Sequence, residues 1–473
     1  MRQRNGQNLN VKAPRPYPFQ DEDLDRMDEL LGRVMLCWDL GLGKSGQAIR
    51  WIKRHGKDAL PAVVVCPAFL KFQWADQAHL FGSFRSDILD GTRPATRNGH
   101  TPPITIVNPD ILGQRRSEHC GPGQLRYLKS LQPKTIIVDE GQMFGSFRAK
   151  RTKWLHELCR GVPHVIALSA TPLTSQPSQL YPILNLLRPD KWNSWPKFGQ
   201  RYCGPTMQYG YMVYKGATNL DELNRKMLRR CMIRRRKIDV LAELPKLTKE
   251  TVPLPISSTR RYAQARDNFI EWLSKEHPNR VYRAMALQRL VQFGYLLRLT
   301  AKLKMKAALE WIDNFLESEN EKLAIFTMHK KTIRRLRRRY RRISVKVDGS
   351  VPMAKRRDAV RKFQNDPECQ LFIGNILAAG TGLDGLQQAC SNGVFLELPL
   401  VPAHVSQVMG RLDRLGQKKP VTFTFLVAQG TIETSLCKVL VRRSKILAEV
   451  LDGTTKTADL EGIFDVLEKE IKA

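Results

Sequence analysis

Short apolar runs alternate with longer stretches of mixed polarity along most of the chain. Val34 to Trp38 is one such run. A glycine-rich turn follows it, and then Gly46 to His55, where the apolar Ala48, Ile49, Trp51 and Ile52 read as a helix. Pro61 to Cys66, Ile104 to Val107, Thr135 to Val138 and His164 to Leu168 repeat the pattern. Short, continuously apolar strands bounded by turns and separated by helices predict a parallel sheet covered on both faces.

The pattern changes between about 191 and 245. Trp192, Trp195, Phe198, Tyr202, Tyr209, Tyr211 and Tyr214 make this stretch aromatic. Asn219 to Leu241 reads as a strongly basic helix, Lys246 to Pro255 as a crossing segment and Ser257 to Ser318 as helical. From Lys322 the alternation resumes. Strands are expected at 323–326, 344–347, 370–373, 393–396 and 422–427, with a closing helix from Thr431 to Leu451. The expected organisation is α/β. Residues 1–13 form a flexible basic tail, 14–190 a first lobe, 191–300 a helical insertion and linker, and 301–473 a second lobe.

Charge adds a partner to this picture. The 473 residues include 78 Lys and Arg against 45 Asp and Glu, a formal net charge of +33. Such a chain attracts polyanions, because each phosphate it neutralises releases counterions. The basic residues are spread along the whole length, which favours a long nucleic-acid partner over a terminal membrane anchor. The nine cysteines occur singly, with no Cys-x-x-Cys pair. That argues against a zinc knuckle or a disulfide framework and for a reducing, intracellular setting. Met1 to Pro14 carries no apolar signal core, and no apolar run approaches the roughly 20 residues of a membrane helix.

The chemistry lies at the ends of the predicted strands. Asp39-Leu40-Gly41-Leu42-Gly43-Lys44-Ser45 is a turn between a strand and a helix. Gly41 and Gly43 let backbone N–H groups close around phosphates, and the helix start adds partial positive charge. Lys44 would reach the outer phosphates and Ser45 would offer its hydroxyl to Mg²⁺. The usual first glycine of this pattern is Trp38 here. Asp139 and Glu140 end another strand. Asp139 suits a metal-holding role, and Glu140 suits orienting and deprotonating the attacking water. Ser169-Ala170-Thr171-Pro172 ends a third strand, and Ser169 and Thr171 read as a relay to a nucleic-acid track. Arg411 and Arg414, three apart, would share a helical face, from which two guanidiniums could stabilise charge on a transferred phosphoryl group.

In this order the set resembles a superfamily-two helicase motor of the Swi/Snf type, from about residue 14 to about 452. Asp39 to Ser45 is similar to motif I, Cys66-Pro67 with Trp74 to motif Ia, Asp139 to Gln142 to motif II and Leu168 to Pro172 to motif III. Asp348-Gly349-Ser350, Gly380 to Leu383 and Gln407 to Gln417 resemble the motifs of the second lobe. Pro16 to Gln20 resembles the adenine-reading Q motif. The resemblance implies two RecA-like lobes, ATP and Mg²⁺ as cofactors, and nucleotide contacts from Gln20, Gly41, Gly43, Lys44, Ser45, Asp139, Gly382 and Asp384. It implies track contacts from Thr381 and from Arg234, Arg235 and Arg236. Stretches around Phe198 to Cys203, Met232 to Leu241 and Phe395 to Leu398 look closest to the annealing-helicase, fork-remodelling subgroup.

The sequence departs from the family at Trp38-Asp39, at Gln142 in place of a histidine, and at Asp384-Gly385. Seven arginines between Arg334 and Arg342 are expected to wrap all sides of a helix on the outer side of the second lobe. His329 reads as a packing residue. The expected function is an ATP-driven motor moving along duplex or branched DNA, in a bacterial or phage-infected cytoplasm or in a nucleus. A strand-separating helicase, a DNA-binding scaffold with a decayed ATPase and a motor subunit of a larger complex are the alternatives.

Overall fold

The structure, a computed structural model, describes residues 14–93, 95, 101–113, 123–208, 210–241, 244–276, 293–319, 321–380 and 385–454. The expected tail over 1–13 lies outside them. The chain forms two compact units, Met1–Ala242 with Ile446–Thr455, and Glu243–Lys445 with Lys456–Ala473. The stretch expected as an insertion over 191–300 is therefore divided between the units.

The first unit is built on a parallel sheet. Its strands are β1 (Arg33–Trp38), β2 (Ala62–Val65), β3 (Ser86–Ile88), β4 (Ile104–Val107), β5 (Thr135–Asp139) and β6 (His164–Leu168). A small antiparallel hairpin, β7 (Thr206–Gln208) and β8 (Tyr211–Val213), stands apart from the sheet. A further strand, β9 (Met232–Arg235), completes the order β3-β4-β2-β5-β6-β1-β9. Alternate residues of each strand feed two cores. Met35, Val63, Val65, Ile136 and Val138 pack on one face, and Leu36, Val64, Ile137 and Ile166 on the other. Burial on both faces explains why these strands read as unbroken apolar runs.

β9 corrects an expectation. The basic helix expected over 219–241 stops at Arg230, and Met232 and Ile233 bury against β1 in parallel register, Met35 with Met232 and Leu36 with Ile233. The arginines around this short apolar pair hide a strand whose partner lies about 200 residues earlier.

The second unit repeats the architecture with β10 (Leu247–Leu254), β11 (Leu323–Thr327), β12 (Ser344–Val347), β13 (Leu371–Asn375), β14 (Asn392–Phe395) and β15 (Val421–Ala428). All pair in parallel, in the order β10-β15-β14-β11-β13-β12. The segment read as a simple crossing, 246–255, is thus an eight-residue edge strand along β15.

Two polar clusters are buried in this unit. Lys304 and Glu433, 0% and 2% exposed, form an ion pair at 2.7 Å, and Lys304 Nζ also donates to the Leu426 carbonyl at 2.7 Å. Glu397, just past β14, accepts hydrogen bonds from Met328 N, His329 N, His329 Nδ1 and Thr332 Oγ1. His329 is thereby tied to a buried carboxylate, in keeping with a packing role. Burial opposes ionisation of Glu397, yet these donors hold its pKa below the ordinary value. A carboxylate with a lowered folded-state pKa stabilises the fold above its unfolded value, and that stabilisation is lost as pH falls through the folded value. Glu397→Gln is expected to cost about 1.5–3 kcal/mol at neutral pH. Its deficit relative to the wild type should shrink as pH falls below about 4.5. Melting temperatures of both proteins at several pH values check this; a deficit independent of pH would contradict it.

Candidate nucleoside-triphosphate site

The phosphate-loop residues follow β1. Gly41 and Gly43 both sit at φ 88°, a left-handed conformation that glycine adopts without strain. Gly43 caps the helix Lys44–His55, whose Ile49, Trp51 and Ile52 are buried beneath the sheet face. The loop therefore delivers Lys44 and Ser45, both half-buried, to the first turn of a well-anchored helix. Lys44 Nζ donates to the carbonyls of Trp38 at 2.8 Å and Asp39 at 3.0 Å. Desolvation pulls its pKa down to about 8, against the opposing pull of Glu140, Asp39 and Asp139.

Gln20 lies against this loop. Its Nε2 donates to the Leu42 carbonyl at 3.0 Å, its Oε1 accepts from Tyr17 N at 3.2 Å and from Arg50, and its backbone carbonyl accepts from Gln47 Nε2 at 2.6 Å. A Cβ at Gly43 would stand 3.0 Å from Gln20 Nε2, so a side chain there would also press on the end of Gln20. Gln20 is a brace for the loop, whatever else it binds.

β5 ends in the carboxylate pair. Asp139 Oδ2 accepts from Trp74 Nε1 at 2.8 Å and Oδ1 from Glu140 N at 2.9 Å. Burial first, and the neighbouring Glu140 second, push the Asp139 pKa up. Glu140 is held at φ 51°, ψ 54°, a left-handed conformation unusual for a side chain other than glycine. Gln142 Nε2 donates to Glu140 Oε2, Ser169 Oγ donates to Gln142 Oε1 at 2.7 Å, and Thr171 N donates to Ser169 Oγ at 3.1 Å. A continuous hydrogen-bonded line thus runs from Glu140 to the turn after β6. Sheet order explains it: β6 lies between β5 and β1, with Asp139 and Leu36 both in register with Leu168. Lys44, Asp139–Glu140 and Ser169 thus meet at the carboxyl ends of three adjacent parallel strands, where α/β sheets bind ligands.

Arg234, Arg235 and Arg236, expected as track contacts, are engaged inside the first unit. Arg234 donates to Asp39 Oδ1 at 2.6 Å, the Cys37 carbonyl at 2.9 Å and Asp452 Oδ1 at 2.7 Å. Burial disfavours its charge, but Asp39 and Asp452 hold its pKa above the ordinary value. Arg235 pairs with Asp23 and Glu22, and Arg236 with Asp239. Arg234 therefore fastens the entry of the phosphate loop. The Asp39 that departs from the family pattern is its partner.

In the second unit, the helix Pro402–Met409 stops at Gly410, and Arg411 and Arg414 lie in successive turns rather than on one helical face. Arg411 Nη2 donates to the Gly380 carbonyl. Asp348 Oδ1 accepts from Ser350 N at 2.8 Å, which shapes the turn after β12. Thr381, Gly382 and Asp384 lie outside the described residues. Three roles had no sequence signal of their own: Trp74 as a donor to Asp139, Gln142 as a bridge and Asp452 as an anchor for Arg234.

Residues 25–304 match the SNF2-related domain, and residues 304–416 match the helicase conserved C-terminal domain. The chain belongs to the SNF2-related family. It is a helicase-superfamily ATPase of the SNF2 type. The DNA annealing helicase and endonuclease ZRANB3 of Bos taurus is 27% identical over 459 residues, covering 94% of this chain and 41% of the relative. The homolog of SWI/SNF-related matrix-associated actin-dependent regulator of chromatin subfamily A-like protein 1 from Caenorhabditis elegans is 30% identical over 462 residues, covering 94% and 63%. The SNF2-type chain thus spans between two fifths and two thirds of the length of these relatives. The Sulfolobus solfataricus SWI2/SNF2 ATPase core in complex with dsDNA aligns at 20% identity with a TM-score of 0.43, over 96% of each chain. Among the described residues, no helix is long and apolar enough to cross a membrane.

Proposed function

We propose that this chain is an ATP-driven DNA translocase that moves along duplex or branched DNA, working at forked structures in replication or repair. The observation that carries it is the hydrogen-bonded line Glu140–Gln142–Ser169–Thr171, starting beside the phosphate loop. A plain NTPase needs Glu140 and Lys44; a motor also needs the hydrolytic carboxylate to answer to a track, and this line supplies the connection. The similarity to an annealing helicase supports the choice of DNA, and the charge of +33 supports contacts made mostly to phosphates. Such contacts are salt-sensitive and carry little sequence preference.

The residues fit a magnesium-bound triphosphate. Asp139 and Glu140 crowd two carboxylates beside Lys44; burial first, and the Glu140 charge second, raise the pKa of Asp139, and a divalent cation would relieve that crowding. Ser45 and Asp139 would hold Mg²⁺, with the Gly41–Gly43 backbone, Lys44 and Gln20 on the nucleotide. Bound Mg²⁺ supplies charge neutralisation at the phosphates. Glu140 accepts the proton of the attacking water and Lys44 holds the outer phosphates in position. Arg411 and Arg414 are proposed as the phosphate-directed cations of the second unit. Gly382 and Asp384 are proposed to contact nucleotide and Thr381 the track. A protein partner in a larger complex is also proposed.

ATP hydrolysis measured against single-stranded, duplex, forked and RNA substrates tests this reading. Duplex or forked DNA is expected to give the highest rates; a rate indifferent to all four would overturn it. Gln142→Ala is expected to keep basal hydrolysis within a fewfold of the wild type while losing most of the stimulation by DNA. Equal loss of both rates would show that Gln142 serves Glu140 alone and relays nothing.

A further inference from the structure

The helix Lys330–Arg339 follows β11 and leads to β12. Thr332, Ile333 and Leu336 are buried on its inner side, and Tyr340 closes its end. The arginines consequently do not wrap every side. Lys331, Arg334, Arg335 and Arg338, at spacings of three and four, form one exposed outer face, and the exposed Arg341 and Arg342 continue it in the turn before β12. None of Lys331, Arg334, Arg335, Arg338 and Arg342 pairs with a carboxylate among the described residues. The adjacent Arg339, by contrast, is bound to Asp313, and exposed arginines elsewhere find acids, as Arg201 does with Glu222 and Arg236 with Asp239.

Like charges three and four apart oppose helix formation. Here the buried Ile333 and Leu336 hold the helix in place regardless, and the outer face is left with charge that no carboxylate among the described residues relieves. An anionic partner would relieve it. The outer face carries no apolar residue between its cations, so it lacks what an interfacial membrane helix inserts into lipid. Rows of guanidinium forks suit phosphodiester oxygens. The helix also leads away from the residues assigned to the motor. Gly380 follows the carboxyl end of β13, whereas Ile343, just after Arg342, bonds to Leu371 at the amino end of β13. The two end residues of that five-residue strand are roughly 13 Å apart.

We propose that the outer face of the helix Lys330–Arg339 is a second, sequence-independent nucleic-acid surface that grips a DNA arm other than the one the motor moves along. This rests on the translocase reading above. It gives the chain a reason to prefer branched DNA, since only a branched substrate can occupy both surfaces at once.

The test is binding of a three-armed junction and of a linear duplex with the same number of phosphates, each over a range of salt, alongside ATP hydrolysis on saturating linear duplex. The triple variant Arg334→Gln, Arg335→Gln, Arg338→Gln is expected to keep wild-type hydrolysis on linear duplex and wild-type linear affinity. Its junction affinity should fall at least tenfold, and the slope of log K against log salt should become shallower by about 2.7, or 0.9 for each lost phosphate contact. The matching triple lysine variant should keep most junction affinity, because it keeps the charge. Unchanged junction affinity and slope in the glutamine variant overturns the proposal. So does equal loss on linear duplex with slowed hydrolysis, which would make the face part of the motor's own track. Loss of binding to anionic phosphatidylserine vesicles with junction binding intact would assign the face to a membrane instead. Wild-type hydrolysis that ignores DNA altogether would sink the translocase reading itself, a result separable from all of these.

Discussion

Glu140→Gln is expected to bind ATP and DNA with near-wild-type affinity while hydrolysing ATP about 10²–10⁴ times more slowly, the range that a positioned general base contributes. The glutamine keeps the size of the side chain, but its amide cannot take the proton. Its neighbours on the line, Gln142 and Ser169, stay in place. Lys44→Ala should also abolish DNA-stimulated hydrolysis, by a different route. Lys44 Nζ is held by the carbonyls of Trp38 and Asp39 in a desolvated position. Removing it takes away the one ammonium in the loop that can meet the outer phosphates, so nucleotide affinity falls along with turnover. Steady-state hydrolysis and nucleotide binding, measured for both variants with and without duplex DNA, separate the two roles. Unchanged turnover in either variant would remove that residue from the site.

Lys304→Met should be the most destabilising single change in the second unit. The ammonium is fully buried, and its loss leaves Glu433 as an unpaired carboxylate that is 2% exposed. Breaking a buried pair from one side costs about 3–5 kcal/mol. For a unit of this size that corresponds to a fall in melting temperature of about 6–20 °C. Replacing both partners, Lys304→Met with Glu433→Leu, should recover much of the loss, because no charge is then stranded. Thermal melts of the wild type, the single variant and the double variant decide the matter. A double variant no better than the single would show that the pair is needed for its geometry and not merely for its neutrality.

The parallel sheets were legible because strands buried on both faces leave unbroken apolar runs, as at Val34 to Trp38 and Ile104 to Val107. The places of Lys44, Ser45, Asp139, Glu140 and Ser169 were legible because each ends a strand or lies in the turn or helix start that follows one. What the sequence hid was pairing over distance. β9 and β10 each join a sheet beside a strand far away in the chain, and their basic or mixed residues resemble surface helix or linker. Charge counting misled in the same way. Arg234 and Arg235 look like phosphate contacts in a run of basic residues, but Asp39, Asp452 and Asp23 already neutralise them. Asp452 lies 218 residues from Arg234, and nothing local announces the pair. Gln142 looked like a weakened motif, yet it is the residue that joins Glu140 to Ser169.

Release of a third strand from a duplex–triplex substrate tests the central claim most directly, because it reports movement along a duplex without requiring strand separation. The wild type is expected to displace the third strand in the presence of ATP and Mg²⁺. It should fail with ADP, and Glu140→Gln should fail with ATP. Vigorous DNA-stimulated hydrolysis by the wild type that leaves the triplex intact would contradict the claim that this chain is a translocase.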